Sequence, residues 1–348
     1  MAMGDGNMVN VGADRYWETE AQVLKQISSL GHPHLITLKA VIRKGGKCYF
    51  MFPWADGGTL REFYRENRWP KLDPSFVREI FQQLNGLADA VDAMHNLGHG
   101  ESSLRHGDLK PENVLRFLDE TQVGVWKIAD MSLAKYHDGA TISRDAETEM
   151  KHGTWLYEPP EVYTMRFTPR SRLYDIWSMG CIYLELLIWL LYGYDELTAF
   201  HNSLYDLPCW GSHLWYLNPI NKVEVHPKAA AYMEHIARDP ECVGSSAMRD
   251  LLDLIQTQLL VVNLPPAKTG SANPSKFTGA QSPPPEPLPG PVRADSKKLR
   301  SAFANIMAKG EKDEHYWSTG ISRGDRQLPS ASQYIKDLDT AYRELGFP

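Results

Sequence analysis

The sequence predicts an α+β fold, with a helix and strand-like runs near the N-terminus and a mainly α-helical remainder, in a chain long enough for two packed domains or one large bilobal body. Three observations predict it. The chain has 348 residues, 43% of them hydrophobic and 23% charged, enough for a bilobal body and close to globular averages. Near the N-terminus one amphipathic helix is followed by two strand-like runs. From residue 73 onward the long apolar segments keep helical spacing.

The elements follow in order. Trp17–Leu30 places Val23, Leu24, Ile27 and Leu30 on one helical face, and Gly31-His32-Pro33 ends it. Leu35–Ile42 and Lys47–Phe52 read as two strands, with Gly45-Gly46 as the hairpin signal between them. After Gly57-Gly58 a short helix runs from Thr59 to about Glu66. Asp73–Leu97 reads as a long helix, with Asp73 as N-cap, Pro74 at the first helical position and Gly98 at its end. His99–Glu161 reads as loops and short strands. Leu173–Tyr192 is an apolar helix; further helices are expected around 226–238 and 245–261, and at Ser296–Lys309. A polar tail follows, with a helix at Ala331–Leu345.

Composition excludes several function classes. A net charge of −6 offers no basic field for nucleic acid or an anionic membrane surface. Cys48, Cys181, Cys209 and Cys242 are scattered without a C-x-x-C pair, so no zinc knuckle or disulfide framework is indicated. Free thiols point to a reducing compartment, cytoplasmic or nuclear. Met1–Asp14 lacks the basic and apolar regions of a signal peptide. The longest apolar run, Met179–Tyr192, is interrupted by Glu185 and is shorter than the roughly 20 residues a spanning helix needs, so a buried core helix is expected. Pro265–Pro291 holds nine of the 23 prolines and reads as a disordered or polyproline-type insertion. Its P-P-P-E-P-L-P run is a candidate ligand for an SH3- or WW-type partner.

The strongest chemical signal is His106-Gly107-Asp108-Leu109-Lys110-Pro111-Glu112-Asn113-Val114-Leu115. Phosphoryl transfer needs a carboxylate to orient the attacking hydroxyl, a cation near the γ-phosphate and an oxygen ligand for a metal. Asp108, Lys110 and Asn113 supply these types on one loop. Seventeen residues beyond Asn113, Lys127-Ile128-Ala129-Asp130-Met131-Ser132 ends a strand in an Asp able to hold Mg²⁺. Gly153-Thr154-Trp155-Leu156-Tyr157-Glu158-Pro159-Pro160-Glu161 follows, and Tyr174-Asp175-Ile176-Trp177-Ser178-Met179-Gly180 opens the apolar helix.

These four segments, in this order, resemble the eukaryotic protein kinase family on its serine/threonine side. H-G-D-L-K-P-E-N is similar to the catalytic loop, D-M-S to the D-F-G magnesium motif, P-P-E to A-P-E, and D-I-W-S-M-G to the D-x-W-x-x-G helix start. His-Pro-His-Leu-Ile and the aromatic Tyr49–Trp54 segment look like filamentous-fungal members. The resemblance implies ATP and Mg²⁺ as cofactors and a protein Ser/Thr hydroxyl as acceptor. It implies Asp108 as catalytic base, Lys110 as γ-phosphate contact, and Asn113 and Asp130 as magnesium ligands. Thr154 would bridge Asp108 and Lys110, with Leu115 under adenine. His106 belongs to the catalytic loop, and Asp175 would anchor that loop's backbone from beneath. Glu161 needs an arginine, for which Arg293 is the candidate. Phe52 aligns as gatekeeper. Pro53 keeps a carbonyl and Ala55 an N–H for adenine, although Pro53 itself has no N–H. The implied division is a disordered start (1–13), a partial N-lobe of helix C, strands 4 and 5 and hinge (14–55), a C-lobe with the proline-rich insertion at about 265–291 (56–309), and a tail (310–348).

The sequence also departs from the family. Glu20 aligns with the helix C glutamate, yet no lysine precedes Lys25. The 19 residues before Glu20 are too few for the Gly-rich loop and the strand carrying its lysine. Both are expected to be missing from this chain. Each lost charge-stabilising contact costs about 10²–10³ in rate, so two lower turnover by about 10⁴–10⁶. A truncated kinase and a pseudokinase acting as an interaction module are the competing readings. Retention of Asp108, Lys110, Asn113 and Asp130 favours truncation. A small-molecule kinase of the aminoglycoside or choline type also uses H-G-D-L, but lacks the G-T-x-x-Y-x-x-P-E and D-x-W-x-x-G segments. Gly107 stands where the family has the arginine that pairs with a phosphorylated activation segment, which argues against that mode of activation at Thr141, Ser143 or Thr148. Met131 replaces the phenylalanine of D-F-G as an apolar substitute.

Overall fold

The computed structural model describes residues 11–44, 47–97, 103–132, 134–137, 155–164, 170–204, 213–218, 220, 222–265, 290–321, 332–334 and 336. Gly4-Asp5-Gly6, Gly45-Gly46, Gly98, the candidate phosphosites, Thr154 and Cys209 lie outside them. So do most of the proline-rich stretch and most of the expected last helix.

The N-terminal lobe is one helix laid on one hairpin. Helix α1 (Val11–Ser29) begins six residues before Trp17 and so enters the stretch expected to be disordered. Its apolar stripe buries Val23, Leu24 and Ile27. Strands β1 (Ala40–Lys44) and β2 (Lys47–Met51) pair antiparallel, Ala40 opposite Met51. The Trp17 ring stacks on Phe50 at 5.9 Å and 8°, and the Arg43 guanidinium lies over the Trp17 ring at 6.0 Å. That contact fastens the middle of α1 to the hairpin.

The strand expected over Leu35–Ile42 starts only at Ala40. Residues 34–36 spend their backbone bonds on the other lobe instead. Ile36 N–H donates to Ile128 O at 2.9 Å, Ile128 N–H donates to His34 O at 2.9 Å, and Leu35 bridges Ile128. A donor used there is not free for a hairpin ladder.

The C-terminal lobe is built around two long helices. Helix α2 (Leu60–Glu66) starts in a complete capping box between Thr59 and Glu62. Helix α3 (Pro74–His95) starts on the Asp73 side chain, which accepts from Phe76 N–H at 2.9 Å. Four short strands follow. β3 (Ser103–Arg105) pairs with β6 (Lys135–His137), and β4 (Val114–Phe117) pairs with β5 (Val125–Ile128). After α4 (Glu161–Thr164) comes α5 (Leu173–Tyr192), long and apolar enough to cross a membrane but with nearly all of its residues buried inside the protein. Around its Trp189 sit the rings of Phe63, Tyr64 and Phe76, and the indole N–H donates to Tyr64 O and Asn67 O.

Three elements had no clear sequence signal. Helix α6 (Tyr194–Ser203) follows α5 after the break at Gly193. Strands β7 (Trp215–Leu217) and β8 (Val223–Val225) are too short for alternation to show. Helices α7 (Pro227–Ile236), α8 (Ala247–Leu254) and α9 (Ser296–Gly310) complete the lobe, and α8 runs on into a π turn over Ile255–Leu259. The chain past residue 309 is no polar tail at first. Trp317 is buried against Phe81, its N–H donates to Gly310 O, and Ser318 hydroxyl donates to Leu72 O.

Gly86 lets α3 meet the loop before β1. A Cβ at this position would lie 2.1 Å from His34 Nε2, while His34 Nδ1 bonds Trp126 O at 2.8 Å. Gly86→Ala is expected to cost about 1–3 kcal/mol by overpacking, read as a lower urea midpoint. An unchanged midpoint would show that the His34 ring can turn aside.

Candidate active site

Hydrogen bonds join the four sequence segments inside the C-terminal lobe: His106 to Asp175, His106 to Ala129, and Ser178 to Tyr157. Their centre is Asp175, in the first turn of α5 and fully buried. It accepts from the backbone N–H of His106 at 2.8 Å and of Gly107 at 2.9 Å, and His95 Nε2 stands 2.7 Å away. Burial works to raise its carboxyl, but the His95 bond, the two nearby imidazoles and the Gly107 N–H hold it below the ordinary aspartate value. Gly107 has φ +82°, a left-handed conformation open to glycine without steric cost. That freedom lets both successive amides reach one carboxylate.

The loop above Asp175 is tied at each residue. Asp108 N–H donates to His106 Nδ1 at 3.2 Å, which places the ring proton on Nε2, where it meets Ala129 O at 2.9 Å. Asp108 Oδ2 receives Lys110 Nζ at 2.7 Å and Asn113 Nδ2 at 3.0 Å. Asn113 Nδ2 also donates to Asp108 O at 2.8 Å, and Ala129 N–H donates to Asn113 O at 2.9 Å. These bonds leave Asp108 Oδ1 and Asn113 Oδ1 without a hydrogen bond among the described residues. Asp130 follows with φ +61°, uncommon for a non-glycine residue and held by its neighbours. Its side chain is exposed, and Met131 beside it is buried.

The segment that the resemblance reads as a hinge, Phe52–Ala55, leads from β2 toward α2. Pro53 carbonyl and Ala55 N–H form no hydrogen bond among the described residues, while Ala55 O accepts from Gly58 N–H at 3.2 Å. Phe52 is 37% exposed and Trp54 is 88% exposed. Leu115 is half-buried in β4, where it bridges Thr59 and faces Lys127 across the pair. Glu20 is half-buried on α1; burial, then the negative charge of Asp130, raises its carboxyl. Glu20 has no ion pair among the described residues.

Two further groups of charges brace the site. Arg293 forms a two-point bond with Glu161, Nη1 to Oε1 at 2.6 Å and Nη2 to Oε2 at 3.0 Å. It stands 132 positions from Glu161 and its side chain is 0% exposed. Glu185, in the middle of α5, faces Arg61 Nη1 at 2.9 Å, Tyr157 hydroxyl at 2.7 Å and His201 Nε2 at 2.9 Å. Arg61 Nε also donates to Glu112 Oε1 at 2.9 Å, in the loop that carries Asp108. His95, Arg61 and Glu112 were not foreseen. The signal for one of them was available: a lone acid inside an apolar helix needs a buried cation.

Residues 9–207 match the protein kinase domain family model. The chain belongs to the protein kinase family. Among curated relatives, it is 31% identical over 225 residues to CBL-interacting protein kinase 4 of Oryza sativa subsp. japonica, covering 60% of this chain and 46% of the relative. It is 33% identical over 178 residues to the putative cyclin-dependent kinase F-2 of the same rice, covering 49% of each. It is 31% identical over 169 residues to human serine/threonine-protein kinase ULK3, covering 49% of this chain and 31% of that one. The kinase chain thus spans half or less of these relatives' length.

As a kinase-family site, the arrangement fits magnesium in one respect. Mg²⁺ uses one or two protein oxygens together with phosphates and water, rather than a full protein cage. Asn113 Oδ1 and the exposed Asp130 carboxylate are two such oxygens, and no group of three His, Cys, Asp or Glu forms a cage among the described residues. The hinge carbonyl and N–H fit a purine edge.

Proposed function

We propose that this chain holds Mg-ATP between hinge and catalytic loop, and serves phosphoryl transfer to Ser or Thr of a protein. Turnover by this chain alone would be weak. One observation carries the reading: Lys110 and Asn113 both bind Asp108 Oδ2, which leaves Oδ1 open on a loop fixed to buried Asp175. Asp108 Oδ1 would accept the hydrogen bond of the acceptor hydroxyl and aim its oxygen. Lys110 would follow negative charge toward the γ-phosphate. Pro53 carbonyl and Ala55 N–H would read adenine, with Leu115 beneath it. Asn113 and Asp130 would hold the metal, which when bound neutralises charge on the phosphates. Three free cysteines, Cys48, Cys181 and Cys242, support a cytoplasmic or nuclear setting.

A second reading has its own support. The Glu20 carboxyl is raised by burial and then by the negative charge of Asp130. A site without a cation there would handle phosphate poorly and suits an interaction module. Thermal melting decides between the two. With Mg-ATP at about ten times Kd the protein is expected to melt a few degrees higher, and Asp130→Asn is expected to lose most of that rise. No rise for the unaltered chain at millimolar Mg-ATP overturns the first reading and leaves the second.

A further inference from the structure

A cavity of about 380 Å³ lies where three segments meet. The loop before β1 gives Ile36 and Thr37, the hinge gives Pro53, and the β4–β5 pair gives Phe117, Val125 and Lys127. Among the described residues, neither Leu115 nor Asp108, Lys110, Asn113 and Asp130 lines it. The cavity is therefore separate from the surfaces assigned to phosphate, metal and the underside of adenine, and it shares only Pro53 with the nucleotide site.

Backbone bonds fix its walls. Leu115 pairs with Lys127 and Phe117 with Val125, so these four side chains share one face of the strand pair. The opposite face, Val114, Arg116, Trp126 and Ile128, is buried. Ile36 N–H donates to Ile128 O at 2.9 Å, which sets the loop against β5 and buries Ile36. Past Pro53, Gly57 N–H donates to Arg116 O at 3.1 Å and Arg116 N–H donates to Gly58 O at 2.8 Å. The cavity is thus preformed, and exposed Leu118 stands at its rim.

The lining side chains are apolar apart from two, the Lys127 ammonium and the Thr37 hydroxyl. Lys127 Nζ lies over the Phe117 ring at 5.4 Å. Burial, then the charge of Lys39, lowers the Lys127 ammonium, so two cations sense one another at this cavity. An anion placed there offsets both costs. A carboxylate suits the two polar groups, with one oxygen accepting from Lys127 and the other from Thr37. An aromatic body suits the rest, because the rings of Pro33, Pro53 and Phe117 offer flat apolar faces. The volume falls at the lower end of the range for small-ligand pockets, about 300–1,000 Å³.

We propose that this cavity is a binding site for a small aromatic carboxylic acid, held by Lys127 and Thr37. The site goes beyond phosphoryl transfer and does not depend on it. Isothermal titration of naphthalene-2-acetate into the full chain tests it, with naphthalene-2-acetamide as the neutral counterpart. One equivalent of the acetate is expected to bind with a submillimolar Kd, the range open to a ligand of about fourteen heavy atoms. It should bind roughly tenfold tighter than the amide, the difference of one charge-assisted hydrogen bond. Lys127→Met keeps the length of the side chain and is expected to bring the acetate down to the affinity of the amide. Val125→Trp fills the cavity and is expected to abolish binding of both, with a melting curve to show that the variant is folded. If Val125→Trp does not fold, the Lys127→Met comparison decides. Equal affinity of acetate and amide for the parent, unaltered acetate binding in Lys127→Met, or no heat at millimolar acetate overturns the proposal. So does acetate binding that Mg-ATP displaces and a folded Val125→Trp keeps, since the probe then sits in the nucleotide site.

Discussion

Arg293→Met is expected to lower stability by about 3–5 kcal/mol, the usual result of removing one partner from a buried pair. The side chain is fully buried and serves four acceptors: both oxygens of Glu161, Val261 O at 2.8 Å and Leu173 O at 3.2 Å. Its guanidinium also lies 4.9 Å from the Trp177 ring. Methionine keeps most of the volume, so the loss measures the unpaired Glu161 and the stranded carbonyls rather than a cavity. The loss is comparable to the whole net stability of a marginal protein. Urea denaturation followed by tryptophan fluorescence checks it. Arg293→Met combined with Glu161→Leu should recover part of the loss, because the orphan charge is gone. A single variant as stable as the parent would show that Glu161 finds another partner or water.

Acid is expected to weaken the fold through Glu185. Burial alone would raise this carboxyl, but Arg61, His201 and Tyr157 outweigh it and bring it down to about 2, from 4.5. The facing groups come from α2, α6 and the turn before α4. A folded-state value below the unfolded one stabilises above the unfolded value, and the stabilisation is lost as pH falls from about 4.5 toward 2. The full contribution at neutral pH is about 3 kcal/mol. Glu185→Gln is expected to start lower, because Arg61 keeps its charge without its buried partner. Between pH 5 and pH 3 its stability should then fall less steeply than that of the parent. Urea midpoints at several pH values across this window give the comparison. Parallel curves for parent and variant would mean that Glu185 titrates elsewhere.

Much of the fold was legible because local chemistry and tertiary packing agree. Asp73 and Pro74 announce the start of α3, and Gly57-Gly58 marks the break before α2. The apolar run at Leu173–Tyr192 is so uniform that only a buried helix suits it in a chain with this composition. Failures cluster where a backbone group has two plausible partners. Leu35 to Lys39 has strand-like composition, yet its amides scatter: Leu35 N–H bonds His32 O, Ile36 N–H bonds Ile128 O of β5, Leu38 N–H bonds the Ser28 hydroxyl, and only Lys39 N–H reaches Met51 O of the hairpin. The segment from Gly310 to Ile321 is polar on average, but one Trp317 seated on Phe81 holds it to the core.

The site divides along the same line. Asp108, Lys110, Asn113, Asp130 and Asp175 stand in short motifs whose spacing is itself the signal, so sequence alone determined which residue types meet on the loop and which family they resemble. The resemblance also pointed to Arg293 as the partner of Glu161. Tertiary structure decided what spacing cannot carry. It chose the oxygen of Asp108 that stays open, set His106 with its proton toward Ala129, and placed His95 under the loop from the far end of α3. It joined Arg61 to both Glu112 and Glu185. The physical reason is common to all of these: hydrogen bonds, ion pairs and ring contacts depend on positions in space, while a sequence records only order along the chain. A motif is read directly because its geometry is local. A pair separated by 132 positions exists only after the lobe has closed around it.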